Sequence, residues 1–142
     1  MSGNPLADDV WRAMAALVID NRDSWRRAAV ERTGMPFSRI RILKRLDRQP
    51  MTVKQVAHAA TIDAPAATVA VNDLELCGLV VREPDPANRR RKVVSLTDAG
   101  RDVVRTIDGI HDPAPEVFAA LTDAELKALH TILARISALS VD

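Results

Sequence analysis

Four consecutive basic residues, Arg89 to Lys92, lie between two β-prone segments of the chain. Adjacent cations repel one another, and this repulsion is relieved when phosphates neutralise them. A hydrophobic core cannot accommodate such a run. Its chemistry is therefore that of contact with a polyanion, and the alternative is a solvated loop that keeps the protein soluble.

The segments around this run predict a β-hairpin followed by a helix. Aliphatic and β-branched residues indicate strands over 79–82 and 92–96, and 84–88 supplies the turn residues that join antiparallel strands. Thr97 is an N-cap candidate, so we expect a helix from Asp98 to about residue 111. The basic run is thereby placed at the tip of a hairpin.

Four helices are predicted before the hairpin. Apolar residues at helical spacing indicate a first helix over 5–31 and a second over 37–47. Thr52 opens a capping-box pattern for a short third helix. Asp63 can cap a fourth helix, which is expected to end at Gly78. Two short helices joined by a tight turn and followed by a hairpin are the order of a winged helix-turn-helix.

Both ends of the chain carry long apolar stripes. A last helix is predicted from Thr122, because prolines at 113 and 115 interrupt the helical pattern before it. This helix and the first one have more apolar surface than their own chain can cover, which predicts a partner subunit. The residues expected at the dimer interface are Leu6, Val10, Met14, Leu126, Leu129, Ile132, Leu133 and Ile136.

Composition indicates one domain of 142 residues with an aliphatic core, since 47% of the residues are hydrophobic and only 3% aromatic. Ten of the twenty Lys and Arg residues lie between positions 22 and 54, and five lie in the hairpin. This asymmetry indicates that one face meets a polyanion. The chain shows no signal-peptide pattern and no apolar run of membrane-spanning length, so we expect a cytoplasmic protein without membrane contact.

Catalytic and metal-binding patterns are not found in the sequence. There is no Gly-rich phosphate loop, nucleophile elbow or His-Glu-x-x-His motif, so we do not expect an enzyme. His58, His111 and His130 are widely spaced and lack Cys or paired carboxylates at ligand spacing, so no metal or other cofactor is expected. The single cysteine, Cys77, excludes an intramolecular disulfide and is interpreted as having no redox role.

The most specific motif lies in the hairpin. Gly78-Leu79-Val80-Val81-Arg82, Asn88-Arg89-Arg90, Leu96-Thr97 and Gly100 reproduce in spacing the pattern Gly-Leu-Val-x-Arg, a turn, Asp-x-Arg, five residues and Leu-Thr-x-x-Gly. With these motifs the chain resembles the MarR family of bacterial winged-helix transcriptional regulators over nearly its whole length.

The resemblance implies a mainly α fold with a small β-hairpin wing and a helical dimerisation region formed by the N- and C-terminal helices. The implied boundaries are 1–34 for the N-terminal dimerisation helix, 35–97 for the winged helix-turn-helix and 98–142 for the C-terminal dimerisation helices, in one continuous domain. It further implies a homodimer whose fourth helix enters the DNA major groove and whose wing reaches the minor groove. A small aromatic or anionic effector that releases DNA is also implied.

Two features depart from the family pattern. Asn88 stands where the family has Asp, so we expect a hydrogen bond rather than an ion pair to brace the wing. The fourth helix offers no Arg for guanine, although Ala and Thr methyl groups can contact thymine and Asn72 can bond adenine. The expected DNA-binding residues are Lys54, Pro65, Ala66, Ala67, Thr68, Asn72, Asn88, Arg89, Arg90, Arg91 and Lys92.

We interpret the chain as a homodimeric, sequence-specific DNA-binding transcriptional regulator, a repressor that a small molecule can release. The alternative is a ligand-binding or protein-interaction module that keeps the winged-helix shape without specific DNA recognition, and the Ala-rich fourth helix favours it. Trp11 and Trp25 are interpreted as core or interface anchors, with the alternative that one of them lines an effector pocket.

Overall fold

Seven α-helices and one β-hairpin make up the computed structural model of the chain, which describes residues 3–139. This confirms the predicted fold class. One compact unit ends at His111 and a second begins at Asp112. In chain order the elements are α1 (Pro5–Asp20), α2 (Asp23–Thr33), α3 (Phe37–Arg48), α4 (Val53–Ala60), α5 (Ala64–Leu76), β1 (Val80–Asp85), β2 (Asn88–Leu96), α6 (Asp98–Asp108), a 3-10 helix (Glu116–Ala120) and α7 (Asp123–Leu139).

The first predicted helix is two helices, so the expectation of one continuous helix over 5–31 is wrong. Asn21 ends α1 because its side-chain Nδ2 donates to the Leu17 carbonyl at 2.8 Å and its backbone N–H donates to the Val18 carbonyl. Asp23 then opens α2, which ends where Gly34 adopts a left-handed conformation with φ 71°. An Asn side chain that satisfies a helix carbonyl competes with continued helix.

Side-chain caps begin most of the remaining helices, as predicted. Thr52 and Gln55 form a reciprocal capping box at α4, and Asp63 accepts from the Ala66 N–H at α5. A second capping box precedes α7, where Thr122 Oγ1 accepts from the Glu125 N–H and Glu125 Oε1 accepts from the Thr122 N–H. The bonds from the Thr122 backbone and side chain hold the pKa of Glu125 below its ordinary value.

Two hydrophobic clusters fill the first unit. The larger one joins α3, α4, α5, the hairpin and α6 around Leu43, Val71, Leu74 and Val94, all at most 2% exposed. The smaller one joins α2, α3 and α6 around Trp25. Burying aliphatic side chains of this size stabilises the fold by about 1.5–3 kcal/mol each, so these clusters fix α5 and the hairpin in place.

The strands of the hairpin are longer than predicted, and the turn is shorter. Asp85 pairs with Asn88, which leaves a two-residue connection in place of the expected loop over 84–88. The arginines therefore lie in β2 and not in a loop. Met51 forms an isolated antiparallel β-bridge with β2, because its N–H donates to the Val94 carbonyl and its carbonyl accepts from the Val94 N–H.

Gly100 and Thr97 hold the start of α6 against the turn that follows α5, through hydrogen bonds and close backbone packing. Thr97 Oγ1 donates to the Gly78 carbonyl at 2.6 Å and accepts from the Gly100 N–H at 3.1 Å. A Cβ on Gly100 would lie 2.1 Å from the Leu79 carbonyl oxygen, so only glycine fits there. Gly78 itself has φ 74°, a conformation that glycine adopts without strain.

The second unit contains the 3-10 helix and α7. Residues 111–115 before it are not helical, as the prolines at 113 and 115 predict, and α6 ends at Asp108 rather than near His111. No residue of α7 is buried within the chain, and the same holds for α1 in the first unit. Within residues 3–139, none of the helices has the length and apolar character needed to cross a membrane.

Candidate nucleic-acid interface

Helix α5 has one buried face and one exposed face. Ala67, Ala70, Val71 and Leu74 recur at helical spacing and are at most 2% exposed. Ala67, expected among the contact residues, therefore packs in the core and has no surface to offer a ligand. The other α5 residues predicted to contact DNA are exposed, namely Pro65, Ala66, Thr68 and Asn72.

The polar groups on the exposed face of α5 already have intramolecular partners. Thr68 Oγ1 donates to the Ala64 carbonyl at 3.1 Å, one helical turn back. The carboxylate of Asp73 accepts from Arg39 Nη2 of α3 at 2.9 Å. Its charge is thereby balanced by a cation of the same unit.

Arg82 joins the wing to α5. Its Nη1 donates to Glu75 Oε1 at 3.0 Å, and its Nη2 donates to Asn72 Oδ1 at 2.6 Å. Its backbone N–H also donates to Glu75 Oε2. Because three hydrogen bonds from one residue connect β1 with α5, the helix and the hairpin present one continuous surface. Arg82 was not among the predicted site residues, since its partners lie 7 and 10 residues away and no local pattern indicates them.

A change of register places the three arginines at the tip of the wing. Pro84 pairs with Lys92 and Asp85 pairs with Asn88, so positions 89–91 of β2 have no partner on β1. Proline cannot donate a ladder hydrogen bond, which accounts for the irregularity at this point. Such bulges redirect side chains, and here they separate the arginines from the ladder.

The three arginines are not equivalent. Arg91 donates through Nε and Nη2 to Asp85 Oδ2, at 3.0 and 2.5 Å, and Asp85 is only 8% exposed. The hydrogen bonds from Arg91 and from the Ala87 N–H hold the pKa of Asp85 below its ordinary value. Arg91 therefore braces the turn, a function that the family pattern would assign to the residue at Asn88.

Asn88 makes a smaller contribution to the wing tip. Its Oδ1 accepts from the Arg90 N–H at 3.2 Å, which is a hydrogen bond and not an ion pair, as predicted. The side chains of Arg89 and Arg90 are exposed, and so are those of Lys92 and Lys54. None of these four cations forms a salt bridge with any residue between 3 and 139. They are free to bind phosphate.

A second candidate site is a cleft of about 220 Å³ between α2 and α3. The Arg22 guanidinium lies 4.1 Å from the centre of the Trp25 ring, and Trp25 meets Phe37 edge-on with ring centres 5.8 Å apart. Trp25 is thus both a core anchor and a wall of this cleft. The cleft is lined by Arg22, Trp25, Phe37, Arg41, Lys44, Arg45 and Arg48.

The charge of the cleft is strongly positive. Lys44 Nζ pairs with Asp108 Oδ1 at 3.2 Å. Arg41, Arg45 and Arg48 have no salt-bridge partner among residues 3–139. Aromatic walls with unpaired guanidinium groups suit an anionic ligand that carries a ring. Among the same residues, no cluster of His, Cys, Asp and Glu is arranged to hold a metal ion.

The segment that contains α5 and most of the wing matches a known protein family. Residues 33–91 match the MarR family. This segment contains α3, α4, α5 and the arginines of the wing, and it confirms the resemblance seen in the hairpin motif.

Solved structures of low sequence identity have the same fold. A mutant of MepR from a multidrug-resistant S. aureus clinical isolate matches with a TM-score of 0.70 at 19% identity, covering 88% of this chain and 93% of that one. The transcriptional regulator BldR from Sulfolobus solfataricus matches with 0.62 at 23%, covering 95% and 99%. Another S. aureus MepR mutant, bound to an oligodeoxyribonucleotide, matches with 0.58 at 20%, covering 94% and 98%.

Proposed function

We propose that the chain is a homodimeric, sequence-specific DNA-binding transcriptional regulator, a repressor that acts in the cytoplasm. The observation that carries this proposal is the Arg82 network, which unites α5 and the wing into one surface with free cations at its tip. The similarity to MepR bound to an oligodeoxyribonucleotide supports the same ligand class for this chain.

The proposal divides the contact residues into two groups. Arg89, Arg90, Lys92 and Lys54 bind phosphates, which supply affinity without sequence information. The exposed N-terminal half of α5, with Pro65, Ala66 and Thr68, faces base edges in the major groove, followed by Asn72. Arg91 and Asn88 serve mainly to shape the wing tip.

The apolar surfaces of α1 and α7 support a homodimer. Leu6 and Val10 of α1 are 71% and 50% exposed, and Ile132 and Ile136 of α7 are 56% and 50% exposed. Such stripes are costly to leave in water and are typical of subunit interfaces. We propose that the remaining predicted interface residues also contact the partner subunit, with Met14 and Leu129 half-buried and Leu126 and Leu133 exposed.

The cleft between α2 and α3 is our candidate for the effector site. An aromatic ring would lie against Trp25 and Phe37, and an anionic group would bind Arg41 or Arg45. Benzoate should therefore raise the melting temperature, and cyclohexanecarboxylate, with equal charge but no π system, should raise it less. The double variant Arg41→Ala/Arg45→Ala should abolish the benzoate shift, and an equal shift in that variant would exclude this site.

Selection from a random duplex library, followed by gel-shift titration at several salt concentrations, tests the proposed function. We expect enrichment of a two-fold symmetric site with half-sites about 10 base pairs apart, because dimer symmetry must match the duplex. The alternative is a ligand-binding or protein-interaction module, favoured by the absence of cations on α5. It predicts that no sequence is enriched and that binding to all duplexes is equally weak.

A further inference from the structure

We propose that Val69 of α5 reads the C5-methyl group of a thymine in each half-site, so that sequence choice depends on an apolar contact. This inference rests on the proposed DNA-binding function and names the group that α5 would recognise. Val69 was absent from the predicted contact residues, although it lies on the outward side of the N-terminal half of the helix.

The position of Val69 follows from the helical period. The buried residues of α5 are Ala67, Ala70, Val71 and Leu74. At 100° per residue, the opposite side of the helix carries positions 65, 69, 72 and 76. Three of these four are apolar, and Val69 is 55% exposed. The side of α5 that faces away from the core is thus largely hydrocarbon.

The chemistry of this stripe excludes the commonest base contact. None of the 13 residues of α5 is Arg or Lys, so the helix lacks the side chains that make the commonest bidentate contact to guanine O6 and N7. Asn72 Oδ1, the atom that would accept from adenine N6, already accepts from Arg82. Among base edges in the major groove, the thymine methyl is the group that an isopropyl side chain can recognise.

The charges on the elements next to α5 favour duplex DNA as the occupant of the stripe. Lys54 lies on the neighbouring helix α4, and the wing, which Arg82 ties to α5, carries Arg89 and Arg90 at its tip. A purely apolar protein partner would leave these unpaired cations facing uncharged surface. An exposed β-branched residue also lowers helix propensity slightly without adding core packing. A base-edge contact gives that residue a physical role.

Replacing thymine by deoxyuridine in the selected operator tests the contact, because this change removes the methyl and keeps the Watson–Crick pairing. Burial of one methyl-sized group contributes about 0.8 kcal/mol, so removing it in one half-site should weaken wild-type binding about fourfold. Removing it in both half-sites should weaken binding about sixteenfold.

Variants of Val69 complete a double-mutant cycle. Because Val69→Ala changes both subunits of the dimer, it should weaken binding to the thymine operator about sixteenfold, as does removal of the methyl from both half-sites. It should show no further loss of affinity on the deoxyuridine operator. Leu76→Ala is the matched control, since it removes another exposed apolar side chain from the same stripe about 10 Å further along the helix. That variant should keep the full deoxyuridine penalty, and unchanged melting temperatures would show that both variants fold.

Three results would overturn the inference. One is an enriched operator that tolerates deoxyuridine at every thymine, and another is a Val69→Ala variant that retains the penalty. A penalty that disappears in Leu76→Ala instead would move the contact to the other end of α5. Failure of the proposed function has a different signature, because then no operator is enriched at all.

Discussion

Removing the two unpaired wing arginines should reduce the salt dependence of DNA binding more strongly than removing the third. Arg89 and Arg90 are exposed and have no salt bridge among residues 3–139, whereas Arg91 makes two hydrogen bonds to Asp85. A cation that neutralises a phosphate releases condensed counterions, and one that is paired within the protein releases fewer. The three adjacent arginines should thus separate into two classes.

The magnitude follows from counterion release. Each neutralised phosphate contributes about 0.9 to the slope of log K against log salt. The double variant Arg89→Ala/Arg90→Ala removes two cations from each subunit and four from the proposed dimer, so the slope should fall by about 3.6. Between about 50 and 200 mM salt, this corresponds to about a 150-fold smaller loss of affinity.

The measurement is the dissociation constant on one operator duplex at four or more salt concentrations. Arg91→Ala should change the slope by clearly less than about 1.8, while weakening binding at every salt because the turn at Asp85 loses its brace. Arg105→Ala, on the exposed surface of α6, is the matched control and should leave the slope unchanged. Equal slopes for wild type and the double variant would refute this reasoning. So would an Arg91→Ala variant whose slope falls by as much for each removed cation as that of the double variant.

Three further predictions concern stability and assembly. Gly100→Ala should destabilise the fold by about 1–3 kcal/mol, seen as a lower melting temperature, because the new Cβ would lie 2.1 Å from the Leu79 carbonyl oxygen. Gly109→Ala should not lower the melting temperature in this way, because the nearest atom to its new Cβ would be 3.4 Å away. Ile136→Asp should convert the dimer to monomers in sedimentation velocity, and a dimer that persists would exclude α7 from the interface. Because the pKa of Asp85 is lowered in the folded protein, its carboxylate stabilises the fold at pH values above the ordinary pKa of aspartate. The difference in melting temperature between wild type and Asp85→Asn should therefore shrink as the pH falls below about 3.9. A difference that does not change with pH would contradict the proposed brace between Asp85 and Arg91.

Local sequence signals were sufficient for most of the helix boundaries. Thr52 with Gln55 and Thr122 with Glu125 satisfy orphan N–H groups within three residues of each other, so their spacing alone specifies the caps. Gly78 ends α5 in the same predictable way. Where partners are close in sequence, a boundary can be predicted without knowledge of the fold.

The break between α1 and α2 was missed because the apolar period continues across it. The available signal was the polar sequence Asp20-Asn21-Arg22-Asp23, in which Asn21 can bond the preceding helical carbonyls. An apolar stripe reports which face is covered, and it does not report whether the backbone is continuous. A turn signal of this kind should therefore outweigh periodicity when a helix is assigned.

The candidate interface was only partly predictable, because its organisation depends on tertiary contacts. The basic run and the helix order were sufficient to locate the two elements that we propose contact DNA. The separation of Arg91 from Arg89 and Arg90 results from the register shift at Pro84 and Asp85, which residue types alone do not encode. The burial of Ala67 follows from the phase of α5 relative to the core, which only the packed structure defines.

The most direct test of the central claim is the ratio of affinities for an operator and for a scrambled duplex of equal length and composition, measured at the same salt. Operator sites recovered by selection should bind at least about 1,000-fold more tightly than the scrambled duplex, as specific regulators typically do. Equal affinities for the two duplexes would contradict DNA-sequence recognition by α5 and the wing. In that case the winged helix would serve another ligand.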